Sequence, residues 1–575
     1  MTRTPLVRPK KTVSLPLPSA RKAAPGLARA GAAAAKAPGR VFALDVPFEY
    51  RAVAQAGGAR WDEEVKAFLY RGEALPPSLV PFMAEPYSLE ARLEARLNGA
   101  KRVAKRGDGQ IRLRPHQVTA VERIVAAHAA GLGGFLLADD VGLGKTISTW
   151  EAVTRLGPSS VLVVCPLAVV AHWRRTILAM GDGGRDVVVM NYDRLGKLFE
   201  VDPAKKAKVK TKKGLARAGE APEFDLVVWD ESHRLKNPSA ARSKFAAKIT
   251  ANADFVLWLS ATAGQNPLEL SYLAPLLARA TGQKASDLKD FEKWCDEQGL
   301  GLTRGAYGRW DWRGDPADCE KVHALLFGAS GRAVPGLRRR PEDIAGWPEL
   351  NRVLTPIGLE GAARALYEEA WVAFRRELAL APKGKNPTSA LAATLRLRQK
   401  GSLLRAPGTV ELVRELLDNG HQVAVSVAFT ETLEALATAL AAELGAGGAE
   451  RIAKIHGKVP ASLREAERLR FQRGEATICL FTVEEGISLH QGEHNEVPRS
   501  LVIHDLRWSA IQMAQIEGRC HRDGRYAVAY WAFAEATIEA QIAELVCRRI
   551  GNMKAMVGDD VETLREIEQL LREPA

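Results

Sequence analysis

Ten short apolar runs, spaced by longer helical stretches, constrain this chain more than any other feature. The first five are Phe135–Ala138, Val161–Cys165, Val187–Met190, Leu226–Trp229 and Phe255–Leu259. The second five are Val423–Ala428, Ile452–Ile455, Ile478–Phe481, Leu501–Ile503 and Ala527–Phe533. The runs do not alternate apolar with polar. A strand that is apolar at successive positions is buried on both faces, the condition of a parallel sheet covered by helices. Strands that alternate with helices build βαβ units. Two such sets imply two α/β lobes in tandem with a cleft between them. Residues 265–400 read as helical and charged, a connecting region.

In such sheets chemistry gathers where the strands end. After the first run comes "DDVGLGKT", Asp139 to Thr146. A phosphate-binding loop has the pattern G-x-x-x-x-G-K-[ST], and here Asp139 stands where the first glycine belongs. Gly142 and Gly144 let the backbone turn and aim its N–H groups at phosphate oxygens. Lys145 would reach the β- and γ-phosphates and Thr146 would ligate Mg²⁺. "FDLVVWDESHRLKN" ends a second strand in Asp230-Glu231. A carboxylate there suits Mg²⁺, so Asp230 is a candidate metal ligand beside Thr146. Glu231 is the candidate general base for an attacking water. "LSATAGQNP" ends a third strand, with Ser260 and Thr262 placed to sense the γ-phosphate. Near the far end of the chain, "QMAQIEGRCHRDGR" sets Arg519 and Arg522 three residues apart, on one face if helical. Arginines that reach another lobe's triphosphate stabilise transition-state charge.

The order of these motifs is that of the superfamily 2 helicase-type ATPases, and the chain most resembles their SWI/SNF-type branch of DNA translocases. The resemblance runs from Arg112 to Arg549. "LRPHQ" resembles the adenine-reading motif, which makes Gln117 the reader. "DDVGLGKT" resembles a loop that carries Asp at its first position, so Asp139 joins Gly142, Gly144, Lys145 and Thr146 as nucleotide-binding. "PLAVVAHW" resembles a motif in which Pro166 and Trp173 are assigned to nucleic acid. "WDESHRLKN", "LSATAGQNP" and "LRRRPEDI" match the blocks that follow. "QVAVSVAF" resembles the strand that opens the second lobe. "FTVEEGISLHQG" and "WSAIQMAQIEGRCHRDGR" resemble its last two motifs, which adds Gly486 and Gln515 to the nucleotide site. The resemblance implies two RecA-like lobes, ATP and Mg²⁺ as ligands, and Lys145, Glu231, Arg519 and Arg522 as catalytic. Gly457 and Thr482 match positions that touch the DNA strand from the second lobe. Ser232, Ala261, Ala263 and Arg525 depart from the family's usual residues; none removes a catalytic group.

Bulk properties agree. The net charge is +13 and the pI about 9.4, which points to a polyanionic partner, nucleic acid first. Lys205, Lys206, Lys208, Lys210, Lys212, Lys213 and Arg217 crowd one stretch between first-lobe strands. That stretch is either a DNA-facing loop or a solvated insertion. Residues 1–40 hold nine Lys/Arg and no acid, a disordered basic tail that either helps hold DNA or is merely solvated. It has no secretory apolar core, though an organelle transit peptide shares its composition. Residues 41–72 read as a small strand–helix–strand unit, with strands Val41–Val46 and Lys66–Tyr70. "ARWDEEVKAFLY" within it is similar to HARP-type domains, which accompany annealing helicases and help them engage branched DNA. The other reading is a plain packing module with Trp61 in its core. None of the six cysteines forms a C-x-x-C pair, which fits a reduced, intracellular protein without zinc. Richness in Ala, Gly and Arg suggests a GC-rich genome, hence a bacterial cytoplasm or a phage-infected cell.

The expected division is 1–40 basic tail, 41–100 small α+β module, 101–345 first lobe, 346–400 helical connector, 401–560 second lobe and 561–575 tail. The expected activity is an ATP-dependent translocase on double-stranded or branched DNA, working as a monomer. A strand-separating helicase on DNA or RNA is the alternative, and a non-catalytic DNA-binding scaffold is the third.

Overall fold

The computed structural model describes residues 39–100, 103–109, 111–199, 221–261, 267–282, 288–304, 310–313, 315–328, 334–348, 350–380, 387–457, 459, 461–482, 487–492, 494–521, 525–552 and 567. The basic tail through residue 38, the basic stretch Lys205–Arg217, Thr262, Gly486 and Arg522 lie outside them.

All ten apolar runs are strands, and they divide into two sheets as their spacing implies. The first has the order Gly336–Leu337, Gly134–Leu137, Phe255–Leu259, Leu226–Asp230, Ser160–Cys165, Asp186–Asn191. Every neighbouring pair in it is parallel. The second has the order Asn351–Ile357, Ala527–Ala534, Arg499–Ile503, Gln422–Ser426, Ile478–Phe481, Ile452–Ile455, again all parallel. Alternate residues of each strand enter cores on opposite faces. Leu136, Leu162 and Trp229 belong to one core of the first lobe, and Phe135, Val163 and Val228 to the other. The second lobe repeats the plan with Ala424 and Ile503 on one side and Val423 and Val502 on the other.

The stretch expected to be helical is more mixed. Asn351–Ile357 crosses to the second lobe and becomes its edge strand. Leu302–Arg304 and Trp310–Trp312 form a separate antiparallel pair. Two long helices follow, Gly361–Leu380 and Pro387–Asp418. The second lies so close to the edge strand that a Cβ on Gly408 would sit 2.4 Å from Ile357 Cγ2.

The small N-terminal module is a three-stranded antiparallel sheet, Arg40–Leu44, Ala67–Gly72 and Arg60–Asp62, with helix Arg51–Ala56. Its core is Phe42, Leu44, Ala54, Phe68, Leu79 and Phe82. Trp61 is not in it. It sits on the short outer strand, 40% exposed, with Phe68 on one side and the Arg51 guanidinium 5.8 Å from its ring. The following helix, Leu89–Leu97, is capped by Ser88, whose Oγ accepts from Ala91 N–H. The module is held to the first lobe's edge strand by Arg92–Asp186 at 2.7 Å and by Arg194, which pairs with Glu90 and Asp45.

Among the described residues no helix is long and apolar enough to cross a membrane, and no group of three or more His, Cys, Asp or Glu could hold a metal ion. The six cysteines are free thiols.

Candidate active site between the two lobes

The C-terminal ends of three adjacent strands, Gly134–Leu137, Phe255–Leu259 and Leu226–Asp230, bring the expected motifs to one edge of the first sheet. The loop after the first of them turns at Gly142 (φ 92°) and Gly144 (φ 80°), conformations that favour glycine. Gly144 is doubly required, because a Cβ there would lie 2.1 Å from Gln117 Nε2. Helix Lys145–Leu156 starts immediately after it, so free backbone N–H groups and the positive end of the helix face the loop. Lys145 Nζ donates to the carbonyl oxygens of Asp139 (2.6 Å) and Asp140 (3.3 Å). The ammonium is thus held over the cradle by groups it can leave. Thr146 is half-buried at the first turn of the same helix.

Gln117 and His116 close the loop from the other side. They lie on helix Pro115–Ala129, where Gln117 Oε1 accepts from Arg114 N–H at 2.9 Å, a capping contact at the helix start. His116 Nε2 lies 3.0 Å from the Leu143 carbonyl oxygen. Gln117 is 2% exposed.

Asp139 occupies a different role from the one its position suggested. It is 1% exposed, and its carboxylate receives Arg339 in a two-pronged pair, Nη2 at 2.5 Å and Nε at 3.1 Å. It braces the loop rather than presenting oxygens to a nucleotide. Beside it, burial pushes the Asp140 carboxyl up to about 6 against the pull of Arg338 and Lys145.

Asp230 ends the strand Leu226–Asp230 and Glu231 follows it, at the same sheet edge as the loop. Asp230 Oδ2 accepts from Trp173 Nε1 at 2.7 Å, and its Oδ1 from Glu231 N–H at 3.0 Å. Tyr192 Oη donates to the Asp230 carbonyl oxygen at 2.7 Å. Burial, then the charge of Glu231, pushes the Asp230 carboxyl up to about 7. Two crowded, desolvated carboxylates call for a cation to keep both ionised. Lys145 also acts on Asp230, which places the phosphate-loop cation nearby. This donor set and the glycine cradle fit Mg²⁺ and a triphosphate. Glu231 has φ 51°, ψ 52°, a left-handed conformation that costs a residue with a side chain about 1 kcal/mol or more. His233 Nδ1 is 3.4 Å from Glu231 Oε2 and shares a 3.0 Å hydrogen bond with Ser260 Oγ, which joins the second motif to the third.

Three assignments change with the structure. Pro166 is buried and Trp173 is 0% exposed, so neither presents itself to nucleic acid. Helix Val170–Met180 packs its inner face on the sheet, and the Trp173 indole serves Asp230 instead. Arg519 is 3% exposed and its Nη1 donates to the Ile487 carbonyl oxygen at 3.2 Å, inside its own lobe. It fastens the end of the last motif's helix, where Leu489 N–H also donates to the Arg519 carbonyl oxygen.

The second lobe still faces the loop. A Cβ on Gly518 would come within 2.8 Å of Val141 Cγ1, so the end of helix Ala510–Glu517 abuts the phosphate loop. Gln515 lies on that helix, 7% exposed. An Arg175–Glu465 ion pair also spans the lobes. Gly457 and Thr482 follow the adjacent parallel strands Ile452–Ile455 and Ile478–Phe481, on the same edge of the second sheet. A Cβ on Gly457 would meet nothing within 4 Å, so this position is open to a ligand.

The three arginines of "LRRRPEDI" look alike in sequence; only the pairing with Asp139 singles out Arg339.

Residues 116–326 match the SNF2-related domain family, and residues 408–524 the helicase conserved C-terminal domain family. The SWI/SNF-related matrix-associated actin-dependent regulator of chromatin subfamily A-like protein 1 of Bos taurus is 25% identical over 80% of this chain and 44% of its own. Its Xenopus tropicalis counterpart is 24% identical over 68% of this chain and 40% of its own. The DNA annealing helicase and endonuclease ZRANB3 of Mus musculus is 23% identical over 72% and 38%. The chain therefore spans about two fifths of the length of these curated relatives. A solved Sulfolobus solfataricus SWI2/SNF2 ATPase core in complex with dsDNA aligns over 80% of this chain and 97% of its own at 18% identity, with a TM-score of only 0.33.

Proposed function

We propose, for a chain that belongs to the SNF2-related ATPases, that it hydrolyses ATP and uses the cycle to move along double-stranded DNA. The observation that carries this reading is the phosphate loop of one lobe set against Gly518 of the other, with the buried Asp230-Glu231 pair at the same sheet edge. Loop N–H groups and Lys145 would hold the triphosphate, and Thr146 and Asp230 would hold Mg²⁺, which neutralises phosphate charge when bound. Glu231 is the group to take the proton of the attacking water. Arg522 remains the proposed arginine toward the transition state, since Arg519 is bound within its own lobe.

A cleft that closes and reopens moves the open edge at Gly457 and Thr482 relative to the first lobe. Contacts there to the phosphate backbone would make binding sequence-independent and salt-sensitive. The relatives named as a DNA annealing helicase and as chromatin regulators support a substrate of duplex or branched DNA. The small module, with its HARP-type resemblance, is proposed to engage branched DNA.

The test is ATP hydrolysis with duplex, single-stranded and forked DNA, for wild type, Lys145→Ala and Glu231→Gln. Duplex-stimulated turnover lost in both variants is expected. Stimulation by single strands alone would move the protein to the strand-separating class. Extra stimulation by forks, lost on deletion of residues 41–72, would establish the branched-DNA role.

A further inference from the structure

The chain passes between the lobes over residues 337–348 and 350–352, and both ends of this strap are clamped by the same device. At the first end, Arg339 grips Asp139 of the phosphate loop with two prongs and donates Nη1 to the His116 carbonyl oxygen at 2.6 Å. The backbone adds to this. Ala138 N–H donates to Leu337 O at 2.7 Å, and Asp140 N–H to Arg339 O at 2.9 Å, so the parallel pairing runs past the strand end onto the loop. Further along, Trp347 sets its ring edge-to-face with His116 at 5.7 Å, with Arg114 over the same ring. At the other end, Arg352 grips Glu517 with two prongs, Nε–Oε1 at 2.7 Å and Nη2–Oε2 at 2.9 Å. Glu517 also accepts from Trp531 Nε1 at 3.0 Å, and it immediately precedes Gly518, which touches the loop. Both carboxylates are essentially shut off from water, at 1% and 2% exposure.

We propose that the strap is a strut between the phosphate loop and the last motif of the second lobe, with Arg339 and Arg352 as positioning residues at its ends. The inference rests on the ATPase reading above. A bidentate arginine–carboxylate pair fixes orientation as well as distance, which a single-point contact does not. Lys145 rests on the carbonyl oxygens of Asp139 and Asp140, the two residues the strap holds. That ammonium has three donors and spends two on these carbonyls, so a triphosphate that takes more than one of them draws it off the loop. Its departure alters the stretch the strap grips, and the rigid pair at Arg352 carries the change to the helix that ends at Gly518. Arg339 therefore sets the shape of the binding loop, and Arg352 sets how the second lobe meets it.

The test uses the full chain with five variants, Arg339→Gln, Arg339→Lys, Arg352→Gln, Arg352→Lys and the double lysine. Two quantities are read: affinity for a fluorescent ATP analogue, and ATP turnover with saturating duplex DNA. The lysines keep the charge and lose the fork, so they decide the matter if a glutamine variant fails to fold. Arg339 variants should bind the analogue about tenfold more weakly. Arg352 variants should bind within about twofold of wild type and turn over about tenfold more slowly. The double lysine variant should lose no more duplex stimulation than the worse single, as expected of one unit. Wild-type affinity in the Arg339 variants, equal loss of affinity in the Arg352 variants, or fully additive losses would overturn the strut. A wild type that binds the analogue but hydrolyses nothing sinks the ATPase reading, while the affinity comparison still judges the Arg339 clamp.

Discussion

The two lobes share one sheet plan and differ in which charges they bury. Among the described residues, the first lobe buries Asp139, Asp182, Asp186, Asp230 and Asp318 and no arginine, while the carboxylates Asp505 and Glu517 that the second buries are each paired with an arginine. The second buries Arg405, Arg468, Arg499, Arg507 and Arg519. In the first lobe Asp139 and Asp230 sit at the nucleotide-facing edge, Asp139 met by Arg339 and Asp230 crowded against Glu231 where a cation can relieve it, while Asp182 and Asp186 tie the far end of the sheet to Lys105 and Arg92. In the second lobe the arginines are fasteners. Arg405 joins Asp505, Glu539 and the His504 carbonyl oxygen. Arg499 lies over the Phe471 ring and donates to Val497 and Leu489. A buried charge near a motif either faces the site, as Asp230 does, or fastens its own lobe, as Arg405 and Arg499 do. Arg519 belongs with the second kind.

Substitutions can break this contrast. Glu231→Gln should cut ATP turnover by about 10²–10⁴-fold, the usual worth of a positioned general base, with an unchanged melting temperature. Arg405→Ala should do the reverse. It strands Asp505 and Glu539 and should cost about 3–5 kcal/mol of stability in denaturant titration. Its turnover per folded molecule should change little. A catalytic defect in Arg405→Ala without destabilisation would erase the distinction between the lobes.

Acid sharpens the same contrast. His504 is fully buried, and its pKa is held down to about 4, mainly by burial. Its neutral form is favoured in the fold, so the stability present above about 6.5 is lost as pH falls toward 4. At pH 5 that loss is about 2 kcal/mol. Asp505, held below its usual range with His504 and Arg405 beside it, adds a loss at still lower pH. The first lobe responds oppositely. Asp230, up to about 7, and Asp140, up to about 6, favour their protonated forms in the fold, so acidification from 7 toward 4 relieves that lobe. Hydrogen exchange read strand by strand at pH 7 and pH 5 should show the second sheet loosening before the first. The smallest effect is expected from Trp173→Phe. Asp230 loses its 2.7 Å donor, and turnover at limiting Mg²⁺ should drop about tenfold and recover as Mg²⁺ is raised.

Much of this was legible in the chain itself, for a physical reason. Central parallel strands must be apolar on both faces, so all ten were visible as runs. In the two large sheets the two strands that escaped are sheet edges; the three-residue strands Arg60–Asp62, Leu302–Arg304 and Trp310–Trp312 escaped too, being too short to show a period. Gly336–Leu337 is too short to show a pattern, and Asn351–Ile357 carries Pro356, which argues against a central strand. The glycine loop and Asp230-Glu231 were readable because their chemistry depends on strand-end position. Inward or outward facing was not readable where it depends on packing. Trp173 and Arg519 looked like surface contacts and are interior. Trp61 belonged to a core under one reading and lies on an outer strand. Arg339 and Arg352 meet partners 200 and 165 residues away, a separation no local pattern encodes.

The motor proposed above travels on duplex DNA without parting its strands. Displacement of a third strand from a DNA triplex, measured with ATP beside unwinding of a matched plain duplex, tests it most directly. Wild type should displace the third strand with ATP, Lys145→Ala should displace none, and neither should unwind the duplex. Unwinding of the duplex, or a triplex left intact with ATP present, would contradict it.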